Sequence, residues 1–204
     1  MRTDLAVIVF VKYPEPGKVK TRLAKFIGFE RAAELYREFA AMTFRICEQL
    51  ANAARFAFFT PPEKRTELCE LFPGQWYWLE QHASPDLGVR LQHAISRVLA
   101  LGYDRVLTIG TDSPTLPLAY LEEAAAKLRE HDLVLGPAED GGYYLIGVKV
   151  APMALFEGVA WSTEEVFAQT LKRAEALQLS VHLLPQWYDI DDAATLEKFY
   201  QTQV

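Results

Sequence analysis

Cysteine and histidine are scarce in this sequence, and their scarcity limits the chemistry that it can carry. The 204 residues include two cysteines, Cys47 and Cys69, and four histidines. The cysteines lie far apart without C-x-x-C or zinc-ligand spacing, so neither a disulfide framework nor a zinc site is predicted. The histidines are scattered and are predicted to be structural or solvent-facing. A reduced, cytoplasmic protein is therefore expected.

Long hydrophobic runs are also absent. No run approaches the roughly 18 apolar residues of a membrane-spanning helix. The apolar run near the start, Leu5–Val11, has seven residues and no small-residue cleavage site after it, so it predicts a strand and not a signal peptide. Half of the residues are hydrophobic and 24% are charged, which is typical of a soluble globular protein. We predict a single domain over residues 1–204 and no membrane partner.

Basic residues are outnumbered, but they are concentrated in one stretch. The chain has 21 basic and 27 acidic side chains and a formal charge of -6, whereas residues 12–25 carry +4. So acidic a chain would repel a nucleic-acid backbone, and nucleic acid is not an expected partner. Ammonium and guanidinium groups near the start of a helix instead suit a compact anion such as phosphate. A solvated, lysine-rich turn is an equally good interpretation of the charge alone.

Strand-like and helix-like segments alternate along the chain. Predicted strands cover residues 5–11, 54–60, 76–80, 105–110, 132–136, 142–148 and 181–185. Predicted helices cover residues 30–52, 87–100, 118–129 and 191–200, together with a short segment that opens at Pro61 and Pro62 and ends at "FPGQ". Ser162 and Glu165 match a capping box ahead of a further helix to about Leu177. This alternation predicts an α/β fold, a Rossmann-like three-layer α/β/α sandwich with a mainly parallel sheet. In such sheets, ligands bind at the carboxyl ends of the strands.

Aspartates follow several of the predicted strands. Asp112 lies in "TIGTDSPTLP", Asp140 in "GPAEDGGYYLIG", and Asp189 and Asp191 in "QWYDIDDAATL". A carboxylate at the end of a buried strand costs desolvation energy unless it is paired, hydrogen-bonded or bound to a cation. Magnesium is the natural cation, because it combines one or two carboxylates with phosphate oxygens and water. Together with the basic stretch, these acids predict a nucleotide site with a divalent metal.

Each aspartate taken alone also has a purely structural interpretation. Asp112 before Ser113 and Pro114 fits a turn or a helix cap. Asp140 before two glycines fits a tight hairpin, and Asp191 fits the N-cap of the last helix. The functional interpretation is favoured because three acidic clusters recur at strand ends of one sheet.

Six blocks of the sequence together resemble a known family. They are "FVKYPEPGKVKTRL", "DLGVRL", "GTDSPTLP", "GPAEDGGYYLIG", "GVAWSTEEVF" and "WYDIDDAATL". The chain resembles, from about residue 5 to residue 197, small bacterial glycosyltransferase-like proteins of the radical-SAM/selenodomain-associated transferase 1 type. That family is similar to the nucleotide-diphospho-sugar transferases of the glycosyltransferase A fold. It is more distantly similar to 2-phospholactate guanylyltransferase and to molybdenum-cofactor guanylyltransferases.

The resemblance implies roles for particular residues. The phosphates of a nucleotide would be held by five residues of the basic stretch: Lys12, Gly17, Lys20, Thr21 and Arg22. Asp112 would be a metal-binding and catalytic aspartate, Asp140 a second catalytic acid, and Asp189 or Asp191 a further ligand of Mg²⁺ or Mn²⁺. The chain lacks the glycine-rich L-A-G-G-x-S-x-R-M-G loop of the guanylyltransferases and has a proline-flanked loop in its place.

Two functional hypotheses from different classes follow. The first is a magnesium-dependent transferase that passes a glycosyl or a nucleotidyl group from a nucleotide-sugar or a nucleoside triphosphate to a small acceptor, and the family description favours glycosyl transfer. The second is a catalytically silent nucleotide-binding regulatory protein. A P-loop kinase and a Rossmann dehydrogenase are excluded, because neither G-x-x-x-x-G-K-[ST] nor G-x-G-x-x-G follows the first strand. The base, the sugar, the acceptor and the oligomeric state stay open.

Overall fold

A computed structural model describes residues 3–202, and within them a seven-stranded sheet is covered by helices on both faces. The strands are β1 (Leu5–Lys12), β2 (Ala53–Thr60), β3 (Tyr77–Glu80), β4 (Arg105–Ile109), β5 (Leu133–Pro137), β6 (Tyr143–Val148) and β7 (Val181–Leu183). The helices are α1 (Thr21–Ile27), α2 (Phe29–Gln49), α3 (Arg65–Leu71), α4 (Leu87–Ala100), α5 (Leu118–Lys127), α6 (Met153–Phe156), α7 (Val166–Ala176) and α8 (Ala193–Gln201). The predicted α/β class is confirmed.

The sheet is mainly parallel, as predicted. Its strand order is β3-β2-β1-β4-β6-β5-β7. Strand β6 pairs antiparallel with both β4 and β5, and the remaining neighbours pair in parallel. The carboxyl ends of β1, β2, β4 and β5 therefore meet at one edge of the sheet. The basic stretch and the predicted acidic loops all begin at this edge.

The two faces of β1 belong to two different parts of the core. Val9 packs in one cluster with Phe44 of α2 and Leu121 of α5. Ile8 packs in the other cluster with Ile95 of α4. Because both faces of the strand are buried, its sequence is a continuous apolar run and does not alternate with polar residues.

A smaller core brings distant parts of the chain together beside the carboxyl edge. Leu23 of α1 and Phe39 of α2 are buried against Ile190 and Leu196 of the C-terminal segment. This cluster holds the loop after β1 next to the loop after β7. Among the described residues, no helix has both the length and the apolarity that crossing a membrane requires.

Two of the predicted helix starts are wrong. The N-cap of α8 is Asp192 and not Asp191: its carboxylate accepts from Thr195 N at 2.9 Å and completes a capping box. Helix α7 begins at Val166 without a side-chain cap, and Ser162 lies outside it with a left-handed φ of 65°. In both cases the composition marked the neighbourhood of a helix start, but local backbone geometry decided which side chain reached the free N–H groups.

Candidate active site

The loop after β1 ends in a buried lysine that contacts two aspartates. The Lys20 side chain is 2% exposed, and its Nζ contacts Asp112 Oδ1 and lies 2.9 Å from Asp191 Oδ1. Burial alone would lower the pKa of Lys20, but the two carboxylates outweigh burial and raise this pKa above its ordinary value. Lys20 is therefore a charged ammonium group at the centre of the acidic cluster.

The backbone of Lys20 has a strained conformation. Its φ of 46° and ψ of 42° lie in the left-handed region, directly before helix α1. A non-glycine residue is uncommon in this region, and such strain persists only where the surrounding structure enforces it. The contacts of the ammonium group with two carboxylates are part of that surrounding structure.

The two aspartates that contact Lys20 come from opposite parts of the sequence. Asp112 follows β4, Asp191 follows β7, and their side chains are 48% and 41% exposed. The loops are joined by a backbone hydrogen bond of 2.9 Å from Ile190 N to Asp112 O. Both carboxylates can therefore bind Lys20 on one side while remaining open to solvent.

Asp189 lies in the same acidic cluster, where burial and the neighbouring carboxylates disfavour its ionised form. The Ser113 hydroxyl donates to its Oδ1. Burial, followed by the negative charges of Asp112, Asp140 and Asp191, raises the pKa of Asp189 to about 7, although the Ser113 hydrogen bond acts in the opposite direction. One ammonium group thus serves several carboxylates, and the excess negative charge would be relieved by a further cation.

Asp140 lies in the predicted hairpin turn, and its catalytic role stays a prediction. It lies in the β5–β6 hairpin turn, where its Oδ1 accepts from Gly142 N at 2.9 Å. It is exposed, and its charge also contributes to the raised pKa of Asp189. The turn is closely packed: a Cβ atom on Gly141, whose φ is +89°, would lie 2.2 Å from the carbonyl oxygen of Glu164. The hairpin thus presents Asp140 on the rim of the acidic cluster.

The other residues predicted to hold phosphates lie on the exposed part of the basic loop. Lys12 ends β1, and its Nζ donates to Lys18 O at 3.4 Å. Gly17 has a φ of +80°, and Thr21 and Arg22 form the exposed start of α1. The loop reaches the carboxylates through Lys20, and phosphate binding by its other members stays a prediction.

Tyr36, Thr111 and Ser113 also belong to this part of the site, and the sequence assigned no role to these three polar residues. The hydroxyl of Tyr36, on α2, accepts from Lys12 N at 2.8 Å and from Thr111 Oγ1 at 3.1 Å. Burial raises the pKa of Tyr36 to about 12, so this tyrosine stays neutral. In the sequence, Tyr36 is one more member of an apolar helical face, whereas Ser113 adjoins Asp112 and could have been noticed.

A second polar group lies at the ends of β1 and β2. Gln81 Nε2 donates to Phe58 O at 2.8 Å and to Val11 O at 3.3 Å. Its Oε1 accepts from Arg90 Nη2, and the Arg90 guanidinium lies 6.0 Å from the centre of the Phe10 ring. Arg90 belongs to the "DLGVRL" block, to which the sequence analysis assigned no role.

The acidic cluster can contribute to a metal site but does not form a complete one. In residues 3–202, no three His, Cys, Asp or Glu side chains are arranged as a ready metal-ligand group. Asp112 and Asp191 share the Lys20 ammonium group instead. One or two carboxylates completed by phosphate oxygens and water are nevertheless what Mg²⁺ takes, and the negative charges of Asp112, Asp140 and Asp191 around Asp189 suit a cation. The donor set therefore fits a divalent metal that binds together with a phosphate ligand.

Comparison with known proteins identifies similar sequences and folds. A family described as "Uncharacterized protein conserved in bacteria (DUF2064)" matches residues 43–163. A proposed nucleotide-diphospho-sugar transferase from Desulfovibrio desulfuricans G20 is 34% identical, with a TM-score of 0.93, over 98% of this chain and 88% of that chain. No curated protein matches the chain.

More distant solved structures share the fold. The CMP:2-keto-3-deoxy-manno-octonic acid synthetase complexed with CTP is 13% identical, with a TM-score of 0.61, over 98% of both chains. Rv0371c from Mycobacterium tuberculosis H37Rv, in complex with manganese, is 13% identical, with a TM-score of 0.56, over 97% of this chain and 99% of that chain. At these identities the likeness establishes a common fold and nothing further.

Proposed function

The chain belongs to the bacterial family DUF2064, and from this premise we propose that it is a divalent-metal-dependent transferase that uses a nucleotide. The observation that carries the proposal is the meeting of Lys20, from the basic loop, with Asp112 and Asp191, from two other loops, at the carboxyl edge of the sheet. The similarity to the Desulfovibrio desulfuricans protein supports transferase activity.

Asp112, with Asp189 or Asp191, would hold the metal, which we expect to be Mg²⁺ or Mn²⁺. When bound, such a metal would neutralise negative charge on the phosphates of the nucleotide. Manganese in the structure of Rv0371c, which has the same fold, supports this expectation. Ser113 would orient Asp189 through the hydroxyl hydrogen bond that it already donates.

The basic loop would bind the phosphates of the nucleotide. Lys12 and Arg22 are exposed on it, Gly17 supplies its turn, and Thr21 is at the start of α1. Lys20 would exchange a carboxylate partner for a phosphate oxygen once a metal compensated the acids. Charge-assisted hydrogen bonds of this kind position the phosphate and stabilise the charge that develops on it.

Asp140 would accept the proton of the acceptor. It is exposed on the rim and lies close enough to Asp189 to influence its pKa. We propose glycosyl transfer to a small acceptor as the reaction, because the 34% identical protein is described as a nucleotide-diphospho-sugar transferase. Nucleotidyl transfer is the competing reaction, and the fold that the chain shares with a CTP-bound synthetase supports it.

The test is a thermal-shift screen of nucleoside triphosphates and nucleotide-sugars, with and without Mg²⁺ or Mn²⁺. A ligand at 100 times its dissociation constant adds about 2.7 kcal/mol to stability. We expect a metal-dependent shift in the wild type and none in Asp112→Asn. Asp104→Asn, the same substitution at an exposed aspartate before β4, should keep the shift. An equal shift in Asp112→Asn would place the metal elsewhere.

Turnover assays separate the transferase from a silent nucleotide-binding protein. Ligands from the screen are incubated with candidate acceptors, and release of nucleoside diphosphate or pyrophosphate is measured. The transferase hypothesis predicts release that falls sharply in Asp140→Asn while nucleotide affinity is kept. Tight binding without release from any member of the panel would support the silent binder.

A further inference from the structure

Arg90 is a partly buried cation whose contacts are with neutral groups. The buried Lys20 is paired with two aspartates, and the buried Arg105 with Asp4 at 2.7 Å. Within residues 3–202, Arg90 has no such carboxylate partner within ion-pair distance, and it contacts the Gln81 carboxamide and the Phe10 ring. The Gln81 carboxamide oxygen pairs with only one of the five guanidinium N–H groups, and Arg90 is only partly buried, so the other N–H groups are open to solvent or to a ligand.

Gln81 positions Arg90, and the side-chain amide of Gln81 also binds the backbone. Both donor contacts of its carboxamide go to backbone carbonyls of β1 and β2, and its backbone N donates to Phe59 O at 3.0 Å. Its Oε1 is therefore fixed in space, and Arg90 Nη2 donates to it. The remaining N–H groups of Arg90 form a donor array at the edge of the sheet, and the Gln81 hydrogen bond restrains their direction.

This array lies on the same edge as the acidic cluster, one strand further along. Gln81 bridges the ends of β1 and β2, whereas Asp112 follows β4, on the other side of β1. Neighbouring strands are about 4.8 Å apart, so the ends of β2 and β4, on either side of β1, are separated by roughly two strand spacings, or about 10 Å. One nucleotide lying across β2, β1 and β4 can reach both, with its phosphates at the acids and its base at Arg90.

The chemistry of Arg90 suits one kind of base edge. Guanidinium carries donors and no acceptor. Guanine offers the acceptors O6 and N7, and the O4 of a uracil ring is likewise an acceptor, whereas adenine and cytosine present amino donors at the corresponding position.

We propose that Arg90, positioned by Gln81, binds the base of the nucleotide and selects guanine or uracil over adenine and cytosine. The proposal rests on the proposed function, because it requires a nucleotide at the acidic cluster. It adds to that function the class of base.

The test is calorimetric titration of GTP, UTP, ATP and CTP, each with Mn²⁺, into the wild type, Arg90→Met and Arg90→Lys. One matched base contact is worth about 1–3 kcal/mol of discrimination, so GTP or UTP should bind about tenfold or more tightly than ATP and CTP. Arg90→Met should bind all four alike by weakening the preferred ones. Arg90→Lys should keep the charge but lose most of the preference, because it lacks the planar fork.

Two further variants separate positioning from general charge. Gln81→Met should reduce the preference without removing the guanidinium, since it removes the acceptor that fixes Arg90. Arg129→Met removes the same charge from an exposed site beyond α5 and should leave the ratio of affinities unchanged. Circular dichroism melting of each variant confirms that it is folded.

The outcomes distinguish this proposal from the function on which it rests. If neither the four triphosphates nor the nucleotide-sugars of the same four bases bind the wild type, the proposed function fails and base selection falls with it. If they bind equally well, if Arg90→Met keeps the wild-type preference, or if it weakens all four equally, base selection alone is overturned.

Discussion

Lys20 is the residue on which the local electrostatics of the site depend. Its ammonium group is almost fully buried between Asp112 and Asp191, each more than 40% exposed. Lysine stays charged in such a place only because the carboxylates compensate the cost of burial. In the protein without ligand, Lys20 therefore supplies the positive charge that a metal would bring, and under the proposed function the two cations would compete for the same oxygens.

Competition between Lys20 and the metal gives the first prediction. Lys20→Met removes one positive charge in contact with the Asp112 and Asp191 oxygens that we propose for the metal, and two unit charges about 4 Å apart interact by at least about 1 kcal/mol even in water. Mn²⁺ alone should therefore bind the variant about fivefold or more tightly than the wild type. The free Mn²⁺ signal in electron paramagnetic resonance measures this affinity.

Lys18→Met is the matched control, because Lys18 is an exposed lysine of the same loop. It should leave Mn²⁺ affinity close to that of the wild type. Unchanged or weaker Mn²⁺ binding by a folded Lys20→Met variant would show that the lysine and the metal do not share their ligands.

At the level of elements, the strands position the site residues in the loops at their carboxyl ends. Contacts at the opposite ends of the strands fix how the strands are paired. Asp132 lies directly before β5 and Ser180 directly before β7. The Asp132 carboxylate accepts from Ser180 N at 3.0 Å and from Ser180 Oγ at 2.5 Å. These hydrogen bonds join the two strands whose far ends lead into the Asp140 and Asp189 loops.

The Asp132 contact predicts a pH-dependent loss of stability. Hydrogen bonds from the Ser180 side chain and backbone lower the pKa of Asp132 below its ordinary value. Because the folded pKa lies below the unfolded one, near about 3.9, the stabilisation is complete above that pH and is lost as the pH falls through the folded pKa. Asp132→Ala should lower the free energy of unfolding by about 1–2 kcal/mol at pH 7.

Urea denaturation of the wild type and Asp132→Ala between pH 7 and pH 3 measures the difference. It should shrink toward the acidic end, where the wild-type carboxylate also becomes protonated. Asp104→Ala, at an exposed aspartate before β4, is the control and should show a small difference throughout. A constant gap between wild type and Asp132→Ala at every pH would mean that the carboxylate charge is not what stabilises the strand pair.

At the scale of the whole molecule, the site joins an early segment of the chain to a late one. Lys20 and Asp191 are 171 positions apart in sequence and yet form a hydrogen bond. The buried cluster that contains Leu23, Phe39, Ile190 and Leu196 packs the same two segments of the chain together. A cation bound at the acids would therefore restrain the early and late segments of the chain together.

Hydrogen exchange tests this coupling. Addition of Mn²⁺ should slow amide exchange in residues 12–24 and in residues 186–196, while the amides around Asp132 and Ser180 at the opposite edge change little. Asp112→Asn should show neither effect. Protection confined to one of the two segments, or spread equally over both edges, would contradict a shared site.

Much of the fold could be predicted from the sequence. The apolar run Leu5–Val11, the α2 and α4 periodicities and the strand Arg105–Ile109 were recognisable because burial imposes a pattern on neighbouring residues. The short helix α1 and the correct cap of α8 were not, since a helix of seven residues carries too weak a pattern and two adjacent aspartates are equivalent in composition.

The candidate site was predictable in its residue types but not in its pairings. The aspartates could be found because each follows a strand, and the fold itself requires parallel strands to end at one edge. That Lys20 turns inward to Asp112 and Asp191, while Lys12 stays exposed, could not be predicted, because the choice depends on a left-handed backbone and on the core under α8.

Local composition and periodicity are sufficient to specify the α/β class, the basic loop and the acidic strand ends, because these depend on residues that are neighbours in the chain. Packing between distant segments decides which charges have a partner of opposite sign. Lys20 is paired with carboxylates, and burial together with neighbouring carboxylates raises the pKa of Asp189 to about 7. Arg90 contacts a carboxamide, which does not neutralise its charge as a carboxylate would. Electrostatic energies depend on distances in space and on burial, and neither is encoded by position along the chain.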